Sequence, residues 1–325
     1  MKLPVKFDVK KLVSLLGTLV MGIALYFVIT RIIEMRDDID FTVFANLWVL
    51  LPLLLLVLWE SLIIIFTSEN FRKLVVSISG VEVSRPAAIK AYNNGNIYKY
   101  IPSGVMLLLG RNQMAVETKG LKHRKVAFTT ILEGAMWIVC ALILSAVLAL
   151  DYVVHYVRQL DLQYLGVAIG TIVPILLVLL FLLYRFRNKL FGDTFDLKSE
   201  IEGLKVTAVL KRLPVMLLIV GVWGSSFLVT MAILGQPLTL YVGVAIVGLY
   251  IMSWLIGFIT PGAPGGLGIR ELILLMFLGA TVYEGLLLSA IVIHRGVQIA
   301  GDIVAFGIAR GYYYLKSRQI HIRAP

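Results

Sequence analysis

The sequence predicts an all-α fold: a polytopic transmembrane helical bundle of about seven to eight spanning helices plus re-entrant helices, forming a single integral membrane domain over residues 1–325. Three observations carry that expectation. Hydrophobic residues make up 59% of the chain and charged residues 15%, where a soluble domain has about 45–50% and about 25%. The apolar residues fall into runs of roughly 18 to 26, long enough to cross a hydrocarbon core about 30 Å thick. The 30 Lys and Arg lie between those runs, on alternate sides of the implied bundle. Together with a mean hydropathy of +0.92, these features exclude a soluble globular protein.

Taken in order, the apolar runs place spans at about 12–33, 43–66, 126–150, 166–186, 213–234, 241–260 and 284–312. Lys2, Lys6, Lys10 and Lys11 before the first run resemble the charged start of a signal peptide. No small-residue cleavage site follows and the run is long, so it reads as a retained helix. Two further segments are too short or too broken for ordinary spans. One, at about 95–112, contains Ile101-Pro102-Ser103-Gly104; the other, at about 260–281, contains Thr260-Pro261-Gly262-Ala263-Pro264-Gly265-Gly266-Leu267-Gly268.

Charge sets the orientation. The N-terminal stretch carries four lysines, the 67–125 connection ten Lys or Arg, and the 185–212 connection seven. The 31–42 and 151–165 connections hold only Arg31, Arg36 and Arg158, against Glu34, Asp37, Asp38, Asp40, Asp151 and Asp161. The positive-inside bias therefore puts both termini and the two basic connections in the cytoplasm, in a plasma-membrane protein. In that topology 95–112 begins and ends on the cytoplasmic side and must dip in and return. The 267–281 helix, at 1.5 Å per residue, spans only about 22 Å, so the turn before it lies within the membrane. The amphipathic piece Phe71-Arg72-Lys73-Leu74-Val75-Val76 is expected either on the inner leaflet or in a cytoplasmic connecting helix.

Several chemistries are disfavoured. Positive charge that sorts to one side of a membrane does not indicate nucleic acid. Cys140 is the only cysteine, and His123, His155, His294 and His321 show no ligand spacing, so neither a metal nor another cofactor is expected. No G-x-x-x-x-G-K-[ST] loop marks an ATP site.

What remains are polar features inside apolar segments. Irregular backbone at membrane depth is tolerated only inside protein or beside a water-filled cavity. The 260–271 run therefore marks either a polar cavity or a packing kink. The free amides of the helix beginning near Leu267 or Gly268, with Arg270 in its first turn, suit an anion, while Glu271 fits the helix dipole. Pro102, Gly104, Gly110 and Arg111 repeat the grammar of Pro264, Gly266, Gly268 and Arg270, which raises the possibility of an inverted repeat. Glu60, Glu133, His294, Arg295 and Asp302 are ionisable residues within spans, each costly to insert. Arg295, Gln298 and Asp302 share one helix face, which must look into the bundle. Arg295 is a candidate for binding phosphate or for neutralising Glu271, Glu133 or Asp302. Glu133, Asp302 and His294 are candidates for ion coupling or for structural pairing, and Glu60 falls near the cytoplasmic interface.

The stretch Trp254-Leu255-Ile256-Gly257-Phe258, followed by Thr260 through Glu271, resembles the main motif of the lysylphosphatidylglycerol synthase transmembrane-region family of flippase-like membrane proteins. Tyr98-Lys99-Tyr100-Ile101-Pro102-Ser103-Gly104, then Gly110-Arg111 and Glu133, is similar to that family's second motif. The resemblance implies an integral bundle with re-entrant helices that moves a lipid headgroup across the bilayer. It supports Pro264, Gly265, Gly266, Gly268, Arg270 and Glu271 as site residues, and more weakly Pro102, Gly104, Arg111, Glu133 and Arg295. The chain has no room for the family's soluble aminoacyltransferase, so a synthase activity is not implied.

The leading expectation is a lipid translocase acting on an anionic phospholipid, glycolipid or polyprenyl-phosphate-linked sugar, with membrane lipids as its partners. The alternatives are a scaffold for a separate glycosyltransferase or lipid synthase, and a membrane enzyme acting on a lipid-linked substrate. No catalytic constellation stands out for the last of these.

Overall fold

A computed structural model describes residues 46–99, 105–159, 206–260, 266–279 and 281–323, with Tyr26, Ile29, Thr30 and Ile33 of the N-terminal stretch. The described residues form eight helices and no strand: α1 Leu47–Ser79, α2 Arg85–Tyr98, α3 Val105–Glu117, α4 His123–Gln159, α5 Val206–Ile233, α6 Leu240–Ile259, α7 Ile269–Leu278 and α8 Glu284–Arg323. Helices α1, α4, α5, α6 and α8 are long and apolar enough to cross a membrane, which makes this a membrane protein by the length its helices need. They correspond to the spans expected at 43–66, 126–150, 213–234, 241–260 and 284–312. The spans expected at 12–33 and 166–186 lie outside the described residues.

Helix α1 starts where the Asn46 side chain accepts the Trp48 amide at 3.0 Å and stops at Gly80, whose φ of 71° puts it in the left-handed region glycine favours. It runs well past the expected end at 66. The polar cluster after Phe66 closes the apolar run without ending the helix, because Thr67 and Ser68 return their hydroxyls to the Ile63 and Ile65 carbonyls at 2.7 and 2.6 Å. Phe71, Leu74 and Val75 are fully buried. The piece 71–76 is therefore a continuation of α1 and not a separate connecting helix, with Phe71, Leu74 and Val75 packed inside the bundle.

Two helical hairpins enter this bundle. In the first, α2 and α3 pack side by side where Gly95 meets Gly110; a Cβ on Gly110 would stand 2.5 Å from both the Cα and the N of Gly95. Two backbones in contact have no flexible atom that can yield. Gly110→Ala is accordingly expected to spread the hairpin and to cost about 1–3 kcal/mol or more, read as a fall in the thermal unfolding temperature of the detergent-solubilised protein. Where a dip was expected over 95–112, the described residues belong to two helices, 85–98 and 105–117, packed against each other. Pro102 and Gly104 lie outside the described residues.

The second hairpin pairs α6 with the short α7. Here Gly257 faces Gly266, and Gly266 and Gly268 have φ of 70° and 80°, conformations open to glycine with no Cβ penalty. The helix expected to begin near Leu267 or Gly268 is α7, which begins at Ile269 with Gly268 as its N-cap. Pro264 and Gly265 lie outside the described residues.

The hairpins open toward opposite ends of the bundle. At one end, Tyr152 Oη lies 2.5 Å from Thr281 Oγ1 and Tyr241 donates to Asp151 at 3.0 Å, which ties the base of α6–α7 to the end of α4. At the other, Lys90 pairs with Glu117 at 2.7 Å and lies 3.8 Å from the centre of the Tyr313 ring, which fixes the base of α2–α3 beside the end of α8. Lys99, just after α2, and Arg270, in the first turn of α7, reach Asp302 and Gln298 of α8, the long helix against which α1, α2, α5 and α7 pack. Gly301 brings α8 against α1 at that level: a Cβ there would stand 2.8 Å from the Glu60 Cβ, and Ser61 donates to the Gly301 carbonyl at 3.1 Å.

Candidate functional site

The junction of the hairpins holds most of the buried polar side chains the sequence singled out. Arg270 comes from the first turn of α7 and is 7% exposed. Its aliphatic stem lies in the slot between the two facing glycines: a Cβ on Gly257 would meet Arg270 Cγ at 2.9 Å, and one on Gly266 would meet Cδ at 2.9 Å. The glycine run therefore makes room for the arginine as well as for the turn. Gly266→Ala is expected to displace Arg270 and, with φ at 70°, to strain the backbone. The thermal unfolding temperature of the detergent-solubilised protein should fall while the helical circular-dichroism signal at low temperature is retained.

Beyond the slot, the guanidinium donates to Tyr250 Oη at 2.6 Å and to Gln298 Oε1 at 3.4 Å, and lies 5.1 and 5.8 Å from the centres of the Tyr250 and Trp223 rings. Tyr250 lies 2.9 Å from His294 Nε2, and His294 Nδ1 lies 2.8 Å from Thr230 Oγ1. The Thr230 hydroxyl proton goes to the Ser226 carbonyl at 3.1 Å. Thr230 therefore accepts from Nδ1–H, and Nε2 accepts from Tyr250, which assigns one neutral tautomer to His294. The result is a directional chain, Arg270 to Tyr250 to His294 to Thr230, that ends on backbone. It is braced by Phe227, stacked on Tyr250 at 4.9 Å between ring centres. Of the two roles open to His294, the hydrogen-bonded core histidine matches this arrangement.

Arg270, Glu271, His294, Arg295 and Gln298 line a small cavity with Phe227, Tyr250, Leu274 and Ile291. Its volume of about 10 Å³ admits roughly one water molecule. The polar cavity expected beside the broken segment is therefore closed here to anything as large as a phosphate. Among the described residues no carboxylate pairs with Arg270, and Glu271 Oε2 has no hydrogen-bond partner. The expected face of Arg295, Gln298 and Asp302 does look inward: the first two line the cavity, and Asp302 is 2% exposed.

One turn along α8 from Gln298, Asp302 pairs with Lys99 at 2.7 Å, so the tip of the first hairpin is pinned to the middle of the bundle. Glu60 abuts this pair. It is 2% exposed, and its Oε1 has no hydrogen-bond partner. Sequence reasoning put Glu60 near an interface and passed over Lys99 and Tyr250. The available signals were a carboxylate in an otherwise apolar run and a lysine beside the first Pro-Gly break.

Arg111 and Glu133 do not join this junction. Arg111 pairs with Glu133 inside the bundle, Tyr92 donates to the other Glu133 oxygen at 3.0 Å, and the guanidinium lies 4.2 and 4.9 Å from the Tyr92 and Phe71 ring centres. Arg111 was expected at the headgroup cavity but is not among its lining residues. Here it locks the first hairpin onto α4 and α1. The reason is local: Gly95 and Gly110 bring α2 and α3 together and turn the arginine toward α4, where Glu133 supplies its counter-charge.

Fold and site together define an all-helical membrane protein in which two hairpins, entering from opposite ends, meet at a buried polar junction. No protein-family model matches the chain and comparison with the curated proteins finds no match, so the functional reading rests on the junction itself.

Proposed function

We propose that the protein is a lipid translocase, related to the flippase-like family its motifs resemble, that passes an anionic headgroup through the junction while the tails stay in the bilayer. In this reading α2–α3 and α6–α7 are re-entrant from the cytoplasmic and outer faces of the plasma membrane, with both termini cytoplasmic. The observation that carries it is Arg270: a guanidinium buried at the meeting point of the hairpins whose described hydrogen-bond partners, Tyr250 and Gln298, are both neutral. A buried charge without a counter-ion is costly, and an arriving phosphate relieves that cost with charge-assisted bonds. Arg295 on the cavity wall adds to the attraction for an anion. Paired helical hairpins meeting at mid-bundle also match the way inverted-repeat transporters hold their substrates. The water-sized cavity then belongs to an occluded state, from which one hairpin must withdraw to admit a headgroup.

The test is reconstitution into phosphatidylcholine vesicles containing a trace of fluorescent phosphatidylglycerol, with dithionite quenching from outside. The proposal expects quenching to proceed beyond the outer leaflet and faster than in protein-free vesicles. Quenching that stops at the outer leaflet for phosphatidylglycerol, a glycolipid and a polyprenyl-phosphate sugar alike would remove the translocase reading.

A further inference from the structure

We propose that Glu60 is a proton-binding site whose occupancy is coupled to anion binding at Arg270, so that an anionic headgroup and a proton are taken up together. The coupling rests on the translocase reading; the proton site does not.

Glu60 places a carboxyl group deep in the bundle, 2% exposed. Glu60 Oε1 has no partner, and an ionised carboxylate left so is among the most expensive groups to bury. The groups that face it come from every neighbouring helix. Lys99, at the end of α2, is held by Asp302 at 2.7 Å. Arg270 of α7 is held by Tyr250 and Gln298. From α8 comes Asp302, while Arg295 and His294 line the cavity beside Arg270; the buried acid of α4, Glu133, is engaged by Arg111. From α5, Ser226 donates its hydroxyl to the Trp223 carbonyl at 2.6 Å. Glu60 Oε1 thus stays without a donor at 2% exposure, a setting that holds a neutral carboxylic acid at far lower cost than a carboxylate.

Release of that proton, with the carboxyl O–H bond breaking and the proton passing to water that enters as a hairpin withdraws, leaves a carboxylate facing two cations that sit at the two hairpin turns. If it takes Lys99, the Asp302 latch on the first hairpin opens. If it takes Arg270, the guanidinium leaves Tyr250 and is no longer available to an anion. By linkage, an anion on Arg270 favours the protonated form of Glu60, and the proton favours the anion by the same factor. Two hairpins in one bundle thereby share a single titratable switch, and ionisable residues at membrane depth are where proton relays are found. The sequence pointed for this role to Glu133, which is engaged by Arg111, to His294, whose two nitrogens are both used, and to Asp302, the ion-paired partner of Lys99.

The experiment is infrared difference spectroscopy of the full chain in nanodiscs. At neutral pH the wild type should show a carboxylic-acid carbonyl band that shifts in D2O and is lost on titration to alkaline pH. Glu60→Gln should abolish that band, and Asp302→Asn should keep it. Because glutamine mimics the neutral acid, Glu60→Gln should also unfold at close to the wild-type temperature, whereas Asp302→Asn, which removes the buried carboxylate paired with Lys99, should unfold earlier. A band that persists in Glu60→Gln, or a wild type without one, would overturn the proton site. The coupling is read separately in vesicles: wild-type movement of fluorescent phosphatidylglycerol should slow severalfold from acidic to alkaline pH, and Glu60→Gln should be pH-independent. If Glu60→Gln keeps the wild-type pH dependence, coupling through Glu60 is overturned. If no lipid moves while the band behaves as expected, it is the translocase reading that fails and the proton site that stands.

Discussion

Arg111→Met is expected to destabilise the protein by about 3–5 kcal/mol, the usual consequence of stranding one member of a buried ion pair. Glu133 is 2% exposed and would keep only the Tyr92 hydroxyl at 3.0 Å as a partner. Its remaining oxygen would lie in an apolar setting built by Phe71, Tyr92 and Met114. The double variant Arg111→Met with Glu133→Gln should recover most of the loss, because removing both charges removes the desolvation penalty with the attraction. The only cysteine supplies the measurement: Cys140 is fully buried in the core between α4, α5 and α6, so labelling by a fluorogenic maleimide during heating reports unfolding. Equal unfolding temperatures for wild type and Arg111→Met would show that the pair does not hold the first hairpin.

Arg270→Ala is expected to remove most of the transport while leaving the fold standing. A charge-assisted hydrogen bond contributes about 1.5–3 kcal/mol, which at about 1.4 kcal/mol per decade corresponds to a fall of roughly ten- to a hundredfold in the rate for an anionic lipid. The stability cost should be much smaller, because the Tyr250–His294–Thr230 chain still ends on backbone without Arg270. Arg270→Lys should recover part of the rate only. A lysine carries the charge but not the planar fork that reaches Tyr250 and Gln298 from one group, and it lacks the flat face that lies against Trp223. Dithionite quenching of fluorescent phosphatidylglycerol in vesicles reads all three proteins. Full activity in Arg270→Ala would remove the anion site.

The bundle was legible because insertion into a bilayer writes itself into composition and run length. Boundaries were less so. The apolar run of α1 ends near residue 66, yet the helix continues to Ser79, since threonine and serine hydroxyls satisfied within the helix do not stop it. The 95–112 segment reads from its sequence as one short dip, whereas its described residues belong to two packed helices. What joins them is the backbone contact of Gly95 with Gly110, a pairing across the fold that no local pattern displays. At the second break the glycines were recognised for their turn, and their other purpose, making space for the Arg270 stem, depends on Gly257, nine residues before Gly266. Arg270, Glu271, Arg295 and His294 do gather at one cavity. Arg111 and Glu133 were correct as buried charges but were read as part of the site because charge inside an apolar run looks the same whether it is paired or poised. Only position separates them: Arg111 meets a carboxylate and Arg270 meets a phenol and an amide. Glu60 was undervalued for the same reason, since its importance comes from lying against Gly301 beside the Lys99–Asp302 pair.

Headgroup charge selectivity tests the central claim most directly, because an anion site at Arg270 must prefer an anion. Vesicles carrying the protein should be supplied in parallel with fluorescent phosphatidylglycerol and fluorescent phosphatidylcholine, matched in chain length, and assayed with wild type and Arg270→Ala. The account predicts that wild type moves phosphatidylglycerol about tenfold faster than phosphatidylcholine, one decade being about 1.4 kcal/mol, and that the preference disappears in Arg270→Ala. Equal rates for the two lipids in wild type, or a preference that survives the loss of Arg270, would contradict it.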